Sequence, residues 1–115
     1  MTSEKSPKKL ILVTSDTIEG ATITETLGLV RGSTVRARHL GHDVIAGLKR
    51  MVGGEVDDYT KLLAEAREQA VDRLVDQARA RGATAVVAVR FASAEIATGA
   101  AEILIYGTAV KHVSG

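Results

Sequence analysis

The spacing of apolar residues changes twice along this chain, and each change marks a change of element. Leu10-Ile11-Leu12-Val13 is an unbroken apolar run, which predicts a short strand over Leu10–Thr14, apolar on both faces. Asp16 to Gly20 is polar and predicts a turn. Thr22 to Val35 is rich in Thr, Ile, Leu and Val and predicts a second strand. Gly28 and Gly32 interrupt it, which predicts a bulge or a close backbone approach. Two strands joined by so short a turn are expected to form a hairpin.

From Leu40 the spacing becomes four. Leu40, Val44, Leu48 and Val52, with Ile45 and Met51 beside them, make one face of a helix that Gly53-Gly54 ends. Asp57 and Asp58 are expected to open a second, longer helix at its positive end. Its apolar stripe is Tyr59, Leu63, Ala66, Ala70 and Leu74, widened by Leu62 and Val71. Arg79 and Arg81 suit its C-terminus, and Gly82 closes it. The alanines on the stripe permit close approach to a sheet.

Spacing tightens again at Ala85. Ala85 to Phe91 predicts a buried strand, Ser93 to Gly99 a connection of small residues, and Ala101 to Val113 the last strand. The order is ββααββ. It defines an α+β class, a mainly antiparallel sheet with helices on one face. Neither face of the last strand is clearly polar. Helices cover one face of such a sheet, so the other asks for a partner chain.

Composition sharpens that expectation. Of 115 residues, 45% are hydrophobic but only 3% aromatic, so the core is built from small and branched aliphatic side chains. These offer little area each, and part of the apolar surface is left for another subunit. The net charge of +1 gives no electrostatic drive toward nucleic acid. There is no Cys, which excludes disulfides, thiolate nucleophiles and Cys-based metal sites. No run approaches the ~20 apolar residues of a membrane span. Residues 1–9 read as a polar, flexible leader without a secretory apolar stretch, and residues 10–115 as a single domain. The expected location is the cytoplasm, with no nucleic acid and no membrane as partner.

The blocks Thr14-Ser-Asp-Thr-Ile-Glu-Gly20, Leu27-Gly-Leu-Val-Arg-Gly32, Val52-Gly-Gly54, Tyr59, Ala66-Arg67, Arg81-Gly-Ala-Thr-Ala-Val-Val87 and Gly107-Thr-Ala-Val110 occur in this order. Together they resemble the YbjQ-like family, an uncharacterised family also labelled a "putative heavy-metal-binding domain". The resemblance spans nearly the whole chain beyond the leader. It implies a small α+β subunit of dodecin-like architecture, assembled with copies of itself into a ring, typically a pentamer. It implies almost nothing about chemistry. Soft heavy metals prefer thiolate and thioether ligands, and this chain has no Cys, so the residues favour a borderline divalent ion instead.

Two groups of side chains are candidate sites. His39 and His42 stand at i,i+3, where they share a helix face and can chelate one ion; Asp43 adds an oxygen ligand or orients a ring. Gly41 between them leaves the helical register open, and a solvated pair is the plainer reading. Asp16 and Glu19, with Thr14 and Thr17, can form an oxygen-rich ligand or cation site. The same residues also make a well-formed turn, with Gly20 taking a positive φ. His112 reads as a surface residue that ligates only if a neighbouring subunit completes a site. Arg90 lies in an apolar strand and needs a partner; Glu102 on the adjacent strand is one. The functional expectation is a non-enzymatic homo-oligomer that binds a small ligand or a metal ion. The alternatives are an assembly module without a ligand, and an enzyme with an interfacial carboxylate site. No complete catalytic constellation is visible for the last.

Overall fold

A computed structural model of the chain describes residues 9–37, 55–97 and 100–115, with side chains described at 9–35, 64–94 and 102–115. The elements are β1 (Ile11–Leu12), β2 (Ala21–Ala37), α1 (Glu55–Ala80), β3 (Ala85–Ala97) and β4 (Ala100–Ser114). They form one four-stranded sheet in the order β1-β3-β4-β2. β4 is antiparallel to both neighbours, and β1 alone runs parallel to β3. The class is α+β with a mainly antiparallel sheet and a helix on one face. Among the described residues no helix is long and apolar enough to cross a membrane.

The expected hairpin between the first two strands does not form. β1 and β2 lie at opposite edges, because β1 pairs Ile11 with Ala85 and Leu12 with Val86. Joining β1 to its own neighbour in sequence would strand the apolar residues of β3 at an edge; inserting β3 and β4 between them buries Val86 and Ala85 fully. The segment Ser93–Gly99, expected as a connection, is strand up to Ala97, which pairs with Ala100. α1 begins at Glu55, two residues before Asp57. The helix expected over Leu40–Val52, its Gly53-Gly54 end and the leader up to residue 8 lie outside the described residues.

The four-residue stripe of α1 does what its spacing predicts. Of the expected stripe Ala66, Ala70 and Leu74 are fully buried, and Ala78 extends it; Ala70, Leu74 and Ala78 pack against Val30, Val86, Ile105 and Ala109 of the sheet, while the side chains of Tyr59, Leu62 and Leu63 lie outside the described residues. Three of the four are alanine, so the helix backbone can come down onto the strands. The meeting point is Gly32. A Cβ placed there would stand 2.1 Å from the carbonyl oxygen of Ala70 and 2.5 Å from the amide nitrogen of Leu74. Two positions along, the buried Thr34 hydroxyl donates to the Ala66 carbonyl at 3.1 Å. The helix ends in a Schellman motif. Ala83 N–H returns to Ala78 C=O at 3.0 Å and Gly82 N–H to Arg79 C=O at 2.9 Å, with Gly82 at φ +80°.

α1 also covers an edge. β2 borders the sheet, and its outward backbone groups at alternate residues would otherwise template pairing with another chain. Arg81 Nη1 donates to Leu29 C=O at 2.6 Å, Arg31 N–H donates to Gln77 Oε1 at 2.7 Å, and Arg73 Nη1 donates to Ser33 C=O. Four helical residues rise about 6 Å and two strand residues about 6.7 Å, so the two spacings nearly match over three rungs.

The face away from α1 is only partly covered. Cross-strand register puts Leu29, Arg31, Ser33 and Val35 of β2 beside Thr108, Tyr106, Leu104 and Glu102 of β4 on that face. Leu29 is 60% exposed, Val35 51% and Tyr106 36%. Nothing among the described residues packs over this stretch. The second face is mixed: Leu29, Val35, Leu104 and Tyr106 alternate with Arg31, Ser33, Thr108 and Glu102.

Candidate functional site

The polar loop between β1 and β2 has to travel from one edge of the sheet to the other. It does so over the face that α1 leaves open. Three strand spacings of about 4.8 Å make roughly 14 Å, well within the reach of the eight residues 13–20. The crossing is anchored by a small second core: Val13, Ile18 and Ile23 pack on Ala85, Val87 and Val110. The loop is thus a fixed part of the fold at one end of the open face.

Its entry is built by a bulge in β3. The register jumps from Val87–Thr108 to Arg90–Tyr106, so Ala88 and Val89 together oppose Gly107. Ala88 takes φ +54°, a left-handed conformation that costs a residue with a Cβ about 1 kcal/mol or more. Val13 N–H donates to Val86 C=O at 3.0 Å, Val89 N–H to Val13 C=O at 3.0 Å and Ala88 N–H to Ser15 C=O at 2.8 Å. The bulge also reverses the alternation of side chains. Without it Arg90 would point to the helix side; with it Arg90 shares the open face with Val87 and Tyr106. Arg90 Nη1 then donates to Thr14 C=O at 2.8 Å and to Val89 C=O at 2.9 Å. The partner expected for Arg90, Glu102, stands opposite Ala94 instead, four residues further along β3. A backbone carbonyl of the loop takes the place of that carboxylate.

Beyond Thr14 the loop is held by its own polar groups. Ser15 Oγ donates to Thr17 C=O at 2.7 Å. Ala21 N–H donates to Ile18 C=O at 3.1 Å, closing a four-residue turn whose third residue, Gly20, has φ +75°. Gly115 N–H donates to Gly20 C=O at 2.8 Å, tying the turn to the end of β4. The side chains of Thr14, Asp16, Thr17 and Glu19 are all exposed on this rigid loop. The turn chemistry expected of Gly20 is thus observed, and it leaves the four oxygen-bearing side chains facing solvent beside the open face.

His39, His42 and Asp43 lie outside the described residues. His112 is half-buried, with its ring Nδ1 2.7 Å from Thr84 Oγ1. Among the described residues no three His, Asp or Glu side chains converge on one point. The bulge at Ala88 is the feature of this region that sequence reasoning missed. A left-handed alanine inside Ala-Val-Val-Ala-Val leaves no trace in composition or spacing.

Fold and loop together define a small two-layer α+β fold with one sheet face covered by a helix and the other left open. The chain belongs to the YbjQ-like family, whose description is "Putative heavy-metal-binding"; the match runs over residues 10–113. It is 56% identical over 102 residues to a UPF0145 protein of Methanosarcina acetivorans, covering 89% of this chain and 96% of the relative. It is 48% identical over 104 residues to one of Archaeoglobus fulgidus, covering 90% and 96%. A UPF0145 protein of Clostridioides difficile is 52% identical over 101 residues, covering 88% and 90%. Among solved structures, a protein of unknown function from the DUF74 family of Pediococcus pentosaceus superposes with a TM-score of 0.58. It covers 89% of this chain and 96% of its own at 12% identity, which speaks for the fold alone.

Proposed function

We propose that the chain is one subunit of a closed homo-oligomer, a dodecin-like ring with a second helix over residues 40–52, that binds a small ligand or a borderline divalent metal ion. A pentamer is the count the family resemblance implies. The observation that carries the reading is the open sheet face. Leu29, Val35 and Tyr106 are exposed on that face, interleaved with Arg31, Ser33 and Thr108, and large apolar side chains left open on a sheet face, rimmed by polar ones, suit an interface. The β2 edge is capped by α1 over Leu29–Ser33, which directs association to the face and away from edge-to-edge pairing.

The ligand groups of this reading are Thr14, Asp16, Thr17 and Glu19 on the loop beside that face, and His39, His42 and Asp43. Imidazole and carboxylate suit zinc, nickel or copper(II) and not a soft heavy metal. In a ring, a loop at the rim of the interface meets a neighbour's side chains, so each copy need supply only part of a site. The protein acts here by binding and not by catalysis. Calorimetry in chelator-free buffer tests the metal half of the reading. Zinc or nickel is expected to bind saturably, and the His39→Ala/His42→Ala double variant to lose that binding. Unchanged affinity in the variant discards the histidines. Unchanged affinity in an Asp16→Asn/Glu19→Gln variant discards the loop.

The alternative is an assembly module with no ligand. The internal hydrogen bonds of residues 15–21 favour it, since they account for that loop as a turn without invoking a bound ion. Equilibrium dialysis against a panel of divalent metals separates the two.

A further inference from the structure

β3 starts too late to fill its place in the sheet. Its pairing begins at Ala85 with both neighbours, Ile11 of β1 and Val110 of β4. On one side the chain before β1, Lys9 and Leu10, continues past that point; on the other, residues 111–114 of β4 do. Between them is a notch one strand wide, about 9.6 Å from backbone to backbone. Its floor is Gly82–Thr84, the link from α1, and its volume is 570 Å³. That is the size of pockets that take small organic molecules.

The lining is one-signed. Lys9, Arg79 and His112 all face the notch, and no Asp or Glu does. Lys111, beside the notch, is 3.9 Å from Glu25, so that basic side chain already has a carboxylate. Arg79 and Lys9 have no ion pair or side-chain hydrogen bond among the described residues. The C-terminal end of α1 would oppose an anion through its carbonyls. The Schellman motif takes up those of Ala78 and Arg79, which blunts that opposition.

His112 is held as a donor or acceptor of fixed direction. Its backbone N–H donates to Thr84 Oγ1 at 2.9 Å, and the same oxygen meets its ring Nδ1 at 2.7 Å. Both contacts lock the ring and leave Nε2 without a partner among the described residues. When Thr84 donates to Nδ1, the ring proton sits on Nε2 and is available to an oxyanion.

We infer that this notch binds the phosphate or carboxylate group of a small molecule. Arg79 supplies a planar fork and Lys9 a mobile point charge; His112 Nε2 adds a directed donor in the tautomer in which Thr84 donates to Nδ1. The lining of the notch comes from one chain and includes no residue of the Thr14–Glu19 loop. Inorganic phosphate, ribose 5-phosphate and citrate are the probes, followed by amide chemical-shift titration of the full chain. At least one is expected to bind saturably, with shifts centred on residues 9–11, 82–84 and 112–114. Preference between the phosphates and citrate assigns the group. Arg79→Gln and His112→Gln are each expected to weaken binding about fivefold or more, while Arg67→Gln, three turns earlier on the same helix, leaves it unchanged. An unaltered far-ultraviolet circular dichroism spectrum shows that the variants fold. Absence of saturable shifts with all three probes overturns the inference. So do shifts spread over every surface cation that Arg79→Gln leaves unaltered.

Discussion

Substituting Gly32 by alanine tests the packing of α1 on the sheet with a single methyl group. The new Cβ would lie 2.1 Å from Ala70 O, 2.5 Å from Leu74 N and 3.0 Å from Arg73 Cβ. Ordinary contact begins near 3.4 Å, so α1 must retreat by about 1.3 Å (3.4 − 2.1) at this point. No side chain can swing away to relieve it, because the first two obstacles are helix backbone. A gap of 0.5–1 Å already forfeits roughly a quarter to a half of each dispersion contact. The loss falls on the fully buried row Ala66, Ala70, Leu74 and Ala78. Overpacking commonly costs about 1–3 kcal/mol, and a backbone-on-backbone clash belongs at or above the top of that range. The control is Gly20→Ala. Gly20 has φ +75° and nothing within 4 Å of the added Cβ, so it carries conformational strain alone, about 1 kcal/mol. Urea unfolding followed by circular dichroism, at matched protomer concentration, measures both. Gly32→Ala is expected to lose at least about 2 kcal/mol more than Gly20→Ala. Equal losses would refute the close approach of helix and strand.

Three other perturbations probe separate parts of the structure. Ala88→Gly relieves the left-handed strain at the bulge and is expected to stabilise by about 0.5–1 kcal/mol in the same assay; a loss instead would show that the bulge is unstrained. Gln77→Ala leaves Arg31 N–H without its acceptor on an exposed edge; a loss of about 1 kcal/mol and slow aggregation visible by light scattering are expected, and an unchanged variant would show that the edge needs no cap. Arg90→Gln removes the donor to Thr14 C=O, so hydrogen exchange at the amides of residues 14–18 is expected to quicken while that of 70–78 stays slow; uniform behaviour would deny Arg90 its hold on the loop.

What the sequence disclosed and what it hid follow from the range of the forces involved. The stripe Ala66–Leu74 and the stop at Gly82 were legible, because helix periodicity and a left-handed C-terminal glycine are local properties. Gly28 and Gly32 were legible as irregular positions. The first proves to sit at a register shift and the second under the helix. The partner of β1 was not legible. A two-residue strand has no pairing preference of its own, and Ile11–Leu12 goes where β3 needs an edge. The need of Arg90 for a partner was legible from its apolar neighbours, but not that the partner is a carbonyl brought over by a loop from the far edge. Of the candidate site, Thr14, Asp16, Thr17 and Glu19 were legible as one loop, and the bulge that positions its entry was not. The convergence of Lys9, Arg79 and His112 joins three distant parts of the sequence, and only the late start of β3 brings them to one place.

The central claim is that Leu29, Val35 and Tyr106 form a surface that copies of the chain close over one another. Native mass spectrometry of protein purified without chelator, set beside its Tyr106→Glu variant, tests it directly. One discrete multiple of the subunit mass is expected for the parent chain, and a shift toward the single subunit for the variant. A parent chain found as a stable single subunit at micromolar concentration would contradict the account.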